Sequence, residues 1–144
     1  MSVPEHLCRF PTAGAIASLA ARFGFPNTPD MQDWEWEVAD QTRIDEFISA
    51  YRSGELTDDE RFTLMETILQ SFEELDAALR DDARWTKLLE ILETNVEIHI
   101  HSIWYWSDVD NDLEGETWRV TPFLREILGR QRPRFESPPK PPES

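Results

Sequence analysis

Three aspartates and two histidines in the second half of the chain have the residue types and spacing that metal chemistry needs. Asp108, Asp110 and Asp112 show the one-three-five spacing that opens an EF-hand calcium loop. The sequence then departs from that motif, because Leu113 stands where the turn needs glycine and Arg119 where the bidentate glutamate belongs. We therefore interpret this stretch as a solvated acidic loop rather than as a calcium site.

His99 and His101 are the other candidate metal ligands. With His6 and Cys8 they would supply four ligands of the kind that zinc accepts. Side chains two residues apart share a face on a strand but point about 200° apart on a helix, and nothing in the sequence brings the two pairs together. We expect one of the two neighbouring histidines at the core margin and the other exposed. A metal-dependent enzyme or metal-binding protein, using the 108–116 loop or these histidines, is the alternative function.

Other catalytic signatures are missing from the sequence. The five glycines are scattered, so no phosphate-cradling loop is visible, and there is no nucleophile elbow. Carboxylate pairs such as Glu35 and Glu37 could support acid-base chemistry, but in a chain with 29 acidic residues such pairs arise by chance. We predict no catalytic residue and no cofactor.

The aromatic residues favour a binding surface instead. The chain has six tryptophans, and Trp104, Tyr105 and Trp106 are consecutive. Consecutive side chains cannot all face one core, so at least one ring should lie near the surface, and Trp and Tyr are enriched at interface hot spots. We predict that these rings bind a partner together with the acidic residues that follow them, which are Asp108, Asp110, Asp112, Glu114 and Glu116.

The formal net charge of -15 indicates what kind of partner to expect. Residues after position 129 carry more basic than acidic side chains, so the body of the chain is more acidic still. Such a body repels nucleic acid and anionic membranes and attracts basic proteins. No apolar run reaches the roughly 18 residues of a membrane span. Cys8 is the sole cysteine and cannot form an internal disulfide, which favours a cytoplasmic location.

One long helix, predicted over Leu56–Asp81, would support this surface. Thr57 and Glu60 form a capping box at its start. Apolar residues then recur at three- and four-residue steps at Phe62, Met65, Ile68, Leu69, Phe72, Leu75 and Leu79. The opposite face carries Glu66, Thr67, Gln70, Glu73 and Glu74. The pattern predicts a helix that is buried on one side and acidic on the other.

Helices also flank this long one. Residues 13–23 form a helix between a Thr12 cap and a Gly24 stop. Another begins after Asp40 and ends at Gly54, and the short connection that follows predicts an antiparallel hairpin with the long helix. The stretch 33–40, between the helix at 13–23 and the helix that begins after Asp40, alternates apolar and polar residues. This pattern suits a half-buried strand or an irregular segment, and we prefer the irregular segment.

The second half of the chain contains one open choice. A helix beginning near residue 83 could continue past Asn95, or residues 96–100 could form a strand. We favour the helix, because a lone strand would have no partner and Asn95 is the sole candidate breaker. A short closing helix follows Thr121 and Pro122 and stops at Gly129.

These elements predict an all-α fold, a single-domain bundle of about five helices. Residues 1–129 form the acidic helical domain. Residues 130–144 form a basic, proline-rich tail that is predicted to be disordered.

Three stretches resemble small, acidic bacterial immunity proteins, the neutralising partners of toxins. They are DDERFTLME at 58–66, YWS at 105–107 and VTPFLREI at 120–127, within a likeness that spans about residues 34–128. The resemblance implies a cytoplasmic inhibitor that binds and blocks a toxin domain, and it implies no catalytic residues. Together with the charge, it predicts a basic protein partner, most concretely a toxin such as a nuclease; the oligomeric state is left open.

Overall fold

The part of the chain that the structure describes contains seven α-helices, three short 3-10 helices and no strand. The computed structural model describes residues 5–109, 111 and 117–135. The α-helices are α1 (Ala13–Phe23), α2 (Trp34–Glu37), α3 (Ile44–Arg52), α4 (Asp58–Glu73), α5 (Ala83–Thr94), α6 (Val96–Trp106) and α7 (Thr121–Phe135). The 3-10 helices are Glu5–Leu7, Gln41–Arg43 and Leu79–Asp81. The all-α class is confirmed, with more helices than predicted. None of these helices has the length and apolar character that crossing a membrane requires.

Local caps begin and end the first helices as predicted. Thr12 Oγ1 accepts the Ala15 N–H at the start of α1, and Gly24 ends that helix in the left-handed region with a φ of 72°. Asp40 caps the 3-10 turn that leads into α3, and Gly54, with a φ of 78°, lies in the connection that follows α3. Each signal acts within a few residues, so the sequence alone reveals it.

Helix α4 lies at the centre of the bundle, where it contacts α1, α2, α3 and α6. It begins with the predicted capping box between Thr57 and Glu60. The predicted acidic face is wrong in the middle of the helix, because every residue from Phe62 to Leu69 is buried, including Glu66. A helix that packs against four others leaves its central turns no exposed side.

The buried hydroxyl groups of α4 hold the segment before α3 in place. Thr67 Oγ1 donates to the Glu35 carbonyl oxygen at 2.7 Å, and Ser71 Oγ accepts the Asp40 N–H at 3.0 Å. These bonds satisfy polar groups that would be costly to bury alone. Within the segment 33–40, residues 34–37 form the single turn of α2, and the rest of the segment is irregular, with no strand. Its position brings Glu35 and Trp36 against α4, beside Thr67 and Glu66.

Helix α4 ends at Glu73, earlier than the predicted Asp81. The Glu73 carboxylate accepts the N–H groups of Arg119 and Val120 at 3.0 and 3.1 Å. The Arg119 guanidinium donates to the carbonyl oxygens of Leu75 and Ala77 in the chain that leaves the helix. A residue more than forty positions later thus stabilises the helix end, which no local pattern encodes.

The stretch after Asn95 is helical, as we favoured, but Asn95 divides it into α5 and α6. Asn95 has φ -110° and ψ 38°, outside the helical region. Its N–H donates to the Ile91 carbonyl oxygen, and its own carbonyl oxygen accepts the Ile98 and His99 N–H groups. The break changes the direction of the chain between Thr94 and Val96.

Helix α7 continues through Gly129 to Phe135, so the predicted stop at Gly129 is wrong. Arg130 pairs with Glu93 at 2.5 Å, and Arg134 pairs with Glu97 at 2.6 Å. Phe135 is buried against the core. Tertiary contacts therefore hold residues 130–135 in a helix. The rest of the predicted tail, 136–144, lies outside the described residues.

Candidate functional site

Four residues of the predicted binding surface lie in the described part of the chain. Tyr105 is 37% exposed, whereas Trp106 is 1% exposed. Trp104 and Asp108 are half-buried. Tyr105 is therefore the ring that comes to the surface, as the run of consecutive aromatics requires. The remaining predicted members, Asp110, Asp112, Glu114 and Glu116, lie outside the described residues.

Tyr105 is the middle ring of a three-ring arrangement that we call the aromatic stack, formed by Trp36, Tyr105 and Trp118. The Tyr105 ring centroid lies 5.7 Å from that of Trp36 and 5.4 Å from that of Trp118, with both pairs stacked. Trp106 lies below, 4.8 Å from the Trp118 ring. The sequence does not identify Trp36 and Trp118 as site members, because α2 and the residues before α7 reach Tyr105 only through the fold.

One side of the aromatic stack borders a cavity of about 160 Å³, which we call the acidic cleft. Trp36, Phe62 and Tyr105 provide aromatic walls, and Glu35 and Glu66 line the same cavity. Arg9 also lies at this cleft, but its guanidinium pairs with Asp59 at 2.9 Å outside it. The cleft therefore combines an apolar surface with two carboxylates that form no ion pair among the described residues.

Both carboxylates of the acidic cleft have raised pKa values. Burial is the main cause for Glu66, whose oxygens accept the indole N–H groups of Trp36 at 3.3 Å and Trp106 at 2.9 Å. Burial likewise raises the pKa of Glu35, and the charge of Glu66 raises it further. A cation bound beside such a carboxyl group stabilises its ionised form and lowers its pKa.

Four carboxyl groups influence the phenol of Tyr105. Burial raises the pKa of its phenol, and four carboxylates raise it further, those of Glu66, Asp33, Asp108 and Glu35. The hydroxyl therefore stays neutral and can donate or accept a hydrogen bond. The surface around it would attract a cation.

A second cavity, of about 190 Å³, lies on the other side of Tyr105, and we call it the tryptophan cleft. It is lined by Trp104, Tyr105, Asp108, Val109 and Trp118. Three of these residues belong to the predicted surface. Tyr105 thus separates two clefts and contributes a wall to each.

Arg125 of α7 holds the chain at the edge of the tryptophan cleft. Its guanidinium donates to the carbonyl oxygens of Ser107, Asp108 and Asn111 at 2.7, 2.8 and 2.9 Å. Asp108 has a φ of 49°, in the left-handed region that a non-glycine residue seldom adopts. These three hydrogen bonds stabilise that conformation and position the Asp108 carboxylate beside the cleft.

The two histidines of α6 lie in separate environments, and neither is exposed as expected. His99 is fully buried, with Nε2 2.6 Å from the Tyr51 hydroxyl, and burial lowers its pKa to about 3. His101 stacks between Phe62 and Trp104, and its Nδ1 donates to the Arg9 carbonyl oxygen at 2.7 Å. His101 therefore fastens the N-terminal segment over the acidic cleft.

Among the described residues, no three His, Cys, Asp or Glu side chains gather so that they could hold a metal ion. His6 is exposed and does not join His99 and His101 in such a group. Two of the three aspartates of the 108–112 pattern lie outside the described residues.

No family model, curated protein or solved structure matches the chain. The resemblance to immunity proteins stays a prediction, and the geometry of the site carries the functional argument.

The arrangement around Tyr105 is suited to binding a cationic side chain. Aromatic faces attract cations and pack against the methylene groups of lysine and arginine. The carboxylates of Glu35 and Glu66 line the acidic cleft and can accept hydrogen bonds from the charged end of such a side chain. A raised carboxyl pKa also suits a general acid, but no nucleophile activated by a neighbouring base is evident among the described cleft residues.

Proposed function

We propose that this protein is an acidic protein-binding module, most concretely an immunity-type inhibitor that occludes a basic toxin domain such as a nuclease. The observation that supports it is the exposed Tyr105 ring, which lies between two clefts and within the field of four carboxylates. A centre of aromatic rings with acidic residues around it is the usual anatomy of a hot spot for a basic partner. In this role the protein would act in the cytoplasm.

Binding would proceed in two physical steps. The net charge of -15 accelerates encounter with a basic surface, and this advantage fades as salt screens it. A lysine or arginine side chain of the partner then enters the acidic cleft, with its stem against Trp36 and Tyr105 and its charge at Glu35. Inhibition is occlusion, because the bound protein covers the basic surface that the toxin needs for its own substrate.

The experiment is capture of a partner from the native host at low salt, with the wild-type protein and matched variants as bait. Tyr105→Ala removes the central ring, whereas Tyr105→Phe keeps the stacking. Glu35→Gln removes a cleft carboxylate, whereas Glu126→Gln removes the same charge from an exposed position on α7. We expect a basic protein that wild type, Tyr105→Phe and Glu126→Gln retain, and that Tyr105→Ala and Glu35→Gln lose.

The captured protein is then purified, and its activity and association rate are measured. We expect wild type to inhibit that activity and to associate more slowly as salt rises. Equal capture by all four variants would show that charge alone attracts basic proteins. Failure to recover any basic partner at low salt would also contradict the proposal.

A further inference from the structure

A third and larger cavity lies between α3, α4 and α5, and it shares no lining residue with the acidic cleft or the tryptophan cleft. Its volume is about 400 Å³, within the range of small-molecule sites. Three basic side chains line it, those of Arg52, Arg61 and Lys87, against a single acidic one, Glu90. In a chain with 29 acidic and 14 basic residues, this is a local reversal of charge. We call it the basic cavity.

The cations of the basic cavity lack the close carboxylate partners that six other arginines have. Arg9, Arg22, Arg43, Arg84, Arg130 and Arg134 each have a carboxylate oxygen within 3 Å. Arg52 and Lys87 form no ion pair within the described residues. Arg61 reaches Asp58 only at 3.7 Å, and its Nε is buried without a hydrogen-bond partner. A buried guanidinium donor without an acceptor is costly unless a ligand supplies one.

Helix ends explain only one of these cations: Arg52 is the last residue of α3, where a positive charge suits the helix dipole. Helices α3 and α5 both end at the cavity, and their last carbonyl groups need donors. The Ala50 oxygen already accepts the N–H and hydroxyl of Ser53, and the Ile91 oxygen accepts the N–H and side-chain amide of Asn95. Arg61 and Lys87 lie on α4 and α5 away from those helix ends. The ends of α3 and α5 therefore do not account for Arg61 and Lys87, which both line the cavity.

The remaining walls of the basic cavity suit an organic group. The Tyr51 ring lies 5.9 Å from the Arg61 guanidinium carbon, and its hydroxyl contacts His99 below. Ile91 adds apolar surface, and Asn95 and Thr94 add polar groups. A free phosphate would occupy a small part of the volume, so a larger molecule with one anionic end fits better.

We propose that the basic cavity binds a small phosphorylated molecule, with its phosphate group held by Arg61, Lys87 and Arg52. Guanidinium groups match phosphate oxygens with paired hydrogen bonds, and lysine adds a point charge. The organic part lies against Tyr51 and Ile91. This site is independent of the partner surface around Tyr105, so either proposal can fail without the other.

The test is titration of the full-length protein with inorganic phosphate, glycerol 3-phosphate and AMP, each against sodium chloride at equal ionic strength. Amide chemical shifts of Gly54, Thr94 and Asn95 report occupancy of the cavity. We expect saturable shifts with all three probes, and tighter binding of AMP or glycerol 3-phosphate than of phosphate. The ranking of the two organic probes distinguishes a nucleotide from a smaller phosphate ester.

Matched variants separate a site from general charge attraction. Lys87→Gln changes an exposed side chain and should weaken binding at least about tenfold, as should Arg61→Gln. Arg80→Gln removes one positive charge from an exposed residue that does not line the cavity, and it should leave binding unchanged. If Arg61→Gln unfolds, the exposed Lys87 variant still decides. Shifts that equal those in sodium chloride, or equal weakening by Arg80→Gln and Lys87→Gln, would overturn the proposal.

Discussion

Glu66 is the residue at which the central helix, the core and the candidate site meet. Its carboxylate is buried beneath the acidic cleft, and both of its oxygens accept indole N–H groups. Hydrogen bonds to an ionised carboxylate stabilise it, whereas burial away from water destabilises it. Burial has the larger effect, so the pKa of Glu66 is raised. The carboxylate therefore costs folding free energy at neutral pH, which a bound cation would recover.

This balance predicts how Glu66→Gln changes the pH dependence of stability. The unfolded pKa of Glu66 is near 4.5 and the folded pKa is higher, so between them the folded state binds more protons. Stability from Glu66 thus falls as pH rises from 4.5 through the folded pKa, and glutamine does not titrate. We expect the free energy of unfolding of wild type, minus that of Glu66→Gln, to decrease with pH across this window. Urea unfolding at a series of pH values, followed by tryptophan fluorescence, measures it.

The stability of Glu66→Gln must be subtracted from that of wild type because His99 also changes the pH dependence of stability. Its folded pKa of about 3 lies below the ordinary 6.5, so the unfolded state binds more protons between these values. Its contribution to stability is lost as pH falls through that range, opposite in sign to that of Glu66. Both proteins contain His99, so its effect cancels in the difference. A difference that stays constant with pH would show that Glu66 has its ordinary pKa.

The sequence predicts that at least one of the three consecutive rings is exposed, but neither which ring it is nor the groups around it. Tyr105 comes to the surface because three consecutive aromatic side chains on a helix must point in different directions. Glu66 was assigned to the exposed face because a helical pattern sorts residues by polarity. Its hydrogen-bond donors, Trp36 and Trp106, lie 30 and 40 positions away in the chain. Periodicity contains no information about partners at that separation.

At the scale of the helices, starts were more predictable than ends. Thr12 and Thr57 cap helices through bonds that span three residues, so short motifs reveal them. The end of α4 depends on Arg119, and the extension of α7 depends on ion pairs with Glu93 and Glu97. An all-α fold could therefore be predicted, whereas the lengths of its two longest helices could not.

Gly129→Ala tests the position at which the sequence wrongly predicts the end of α7, and Gly54→Ala provides the comparison. Gly129 lies inside α7 with open space around an added Cβ, so Gly129→Ala should stabilise the protein by about 0.5–1 kcal/mol. Gly54 has a φ of 78°, so Gly54→Ala should destabilise it by about 1–2 kcal/mol. Urea unfolding of both variants measures the two changes. Destabilisation by both would mean that Gly129 ends the helix after all.

At the scale of the whole molecule, the described cavities differ in the charge of their linings. The two clefts beside Tyr105 are lined by three carboxylates and by Arg9, whereas the basic cavity gathers three of the 14 basic residues. Several other arginines pair with carboxylates at the surface, where each pair contributes roughly 0–1 kcal/mol. Such pairing leaves a large excess of negative charge that no basic side chain can neutralise.

This excess predicts that salt stabilises the folded protein. Even if all 14 basic residues were paired, the net charge of -15 would remain, and its self-repulsion weakens the compact state. Raising ionic strength from about 0.01 to 0.15 M shortens the Debye length from about 30 to 8 Å and screens this repulsion more than it weakens close pairs. We expect the melting temperature to rise over that range of sodium chloride, by calorimetry. Lys87→Gln should show the same rise, because the effect does not depend on the basic cavity. A melting temperature that falls with salt would mean that attraction within the ion pairs outweighs the repulsion. A basic partner would then relieve little repulsion by binding to the acidic surface.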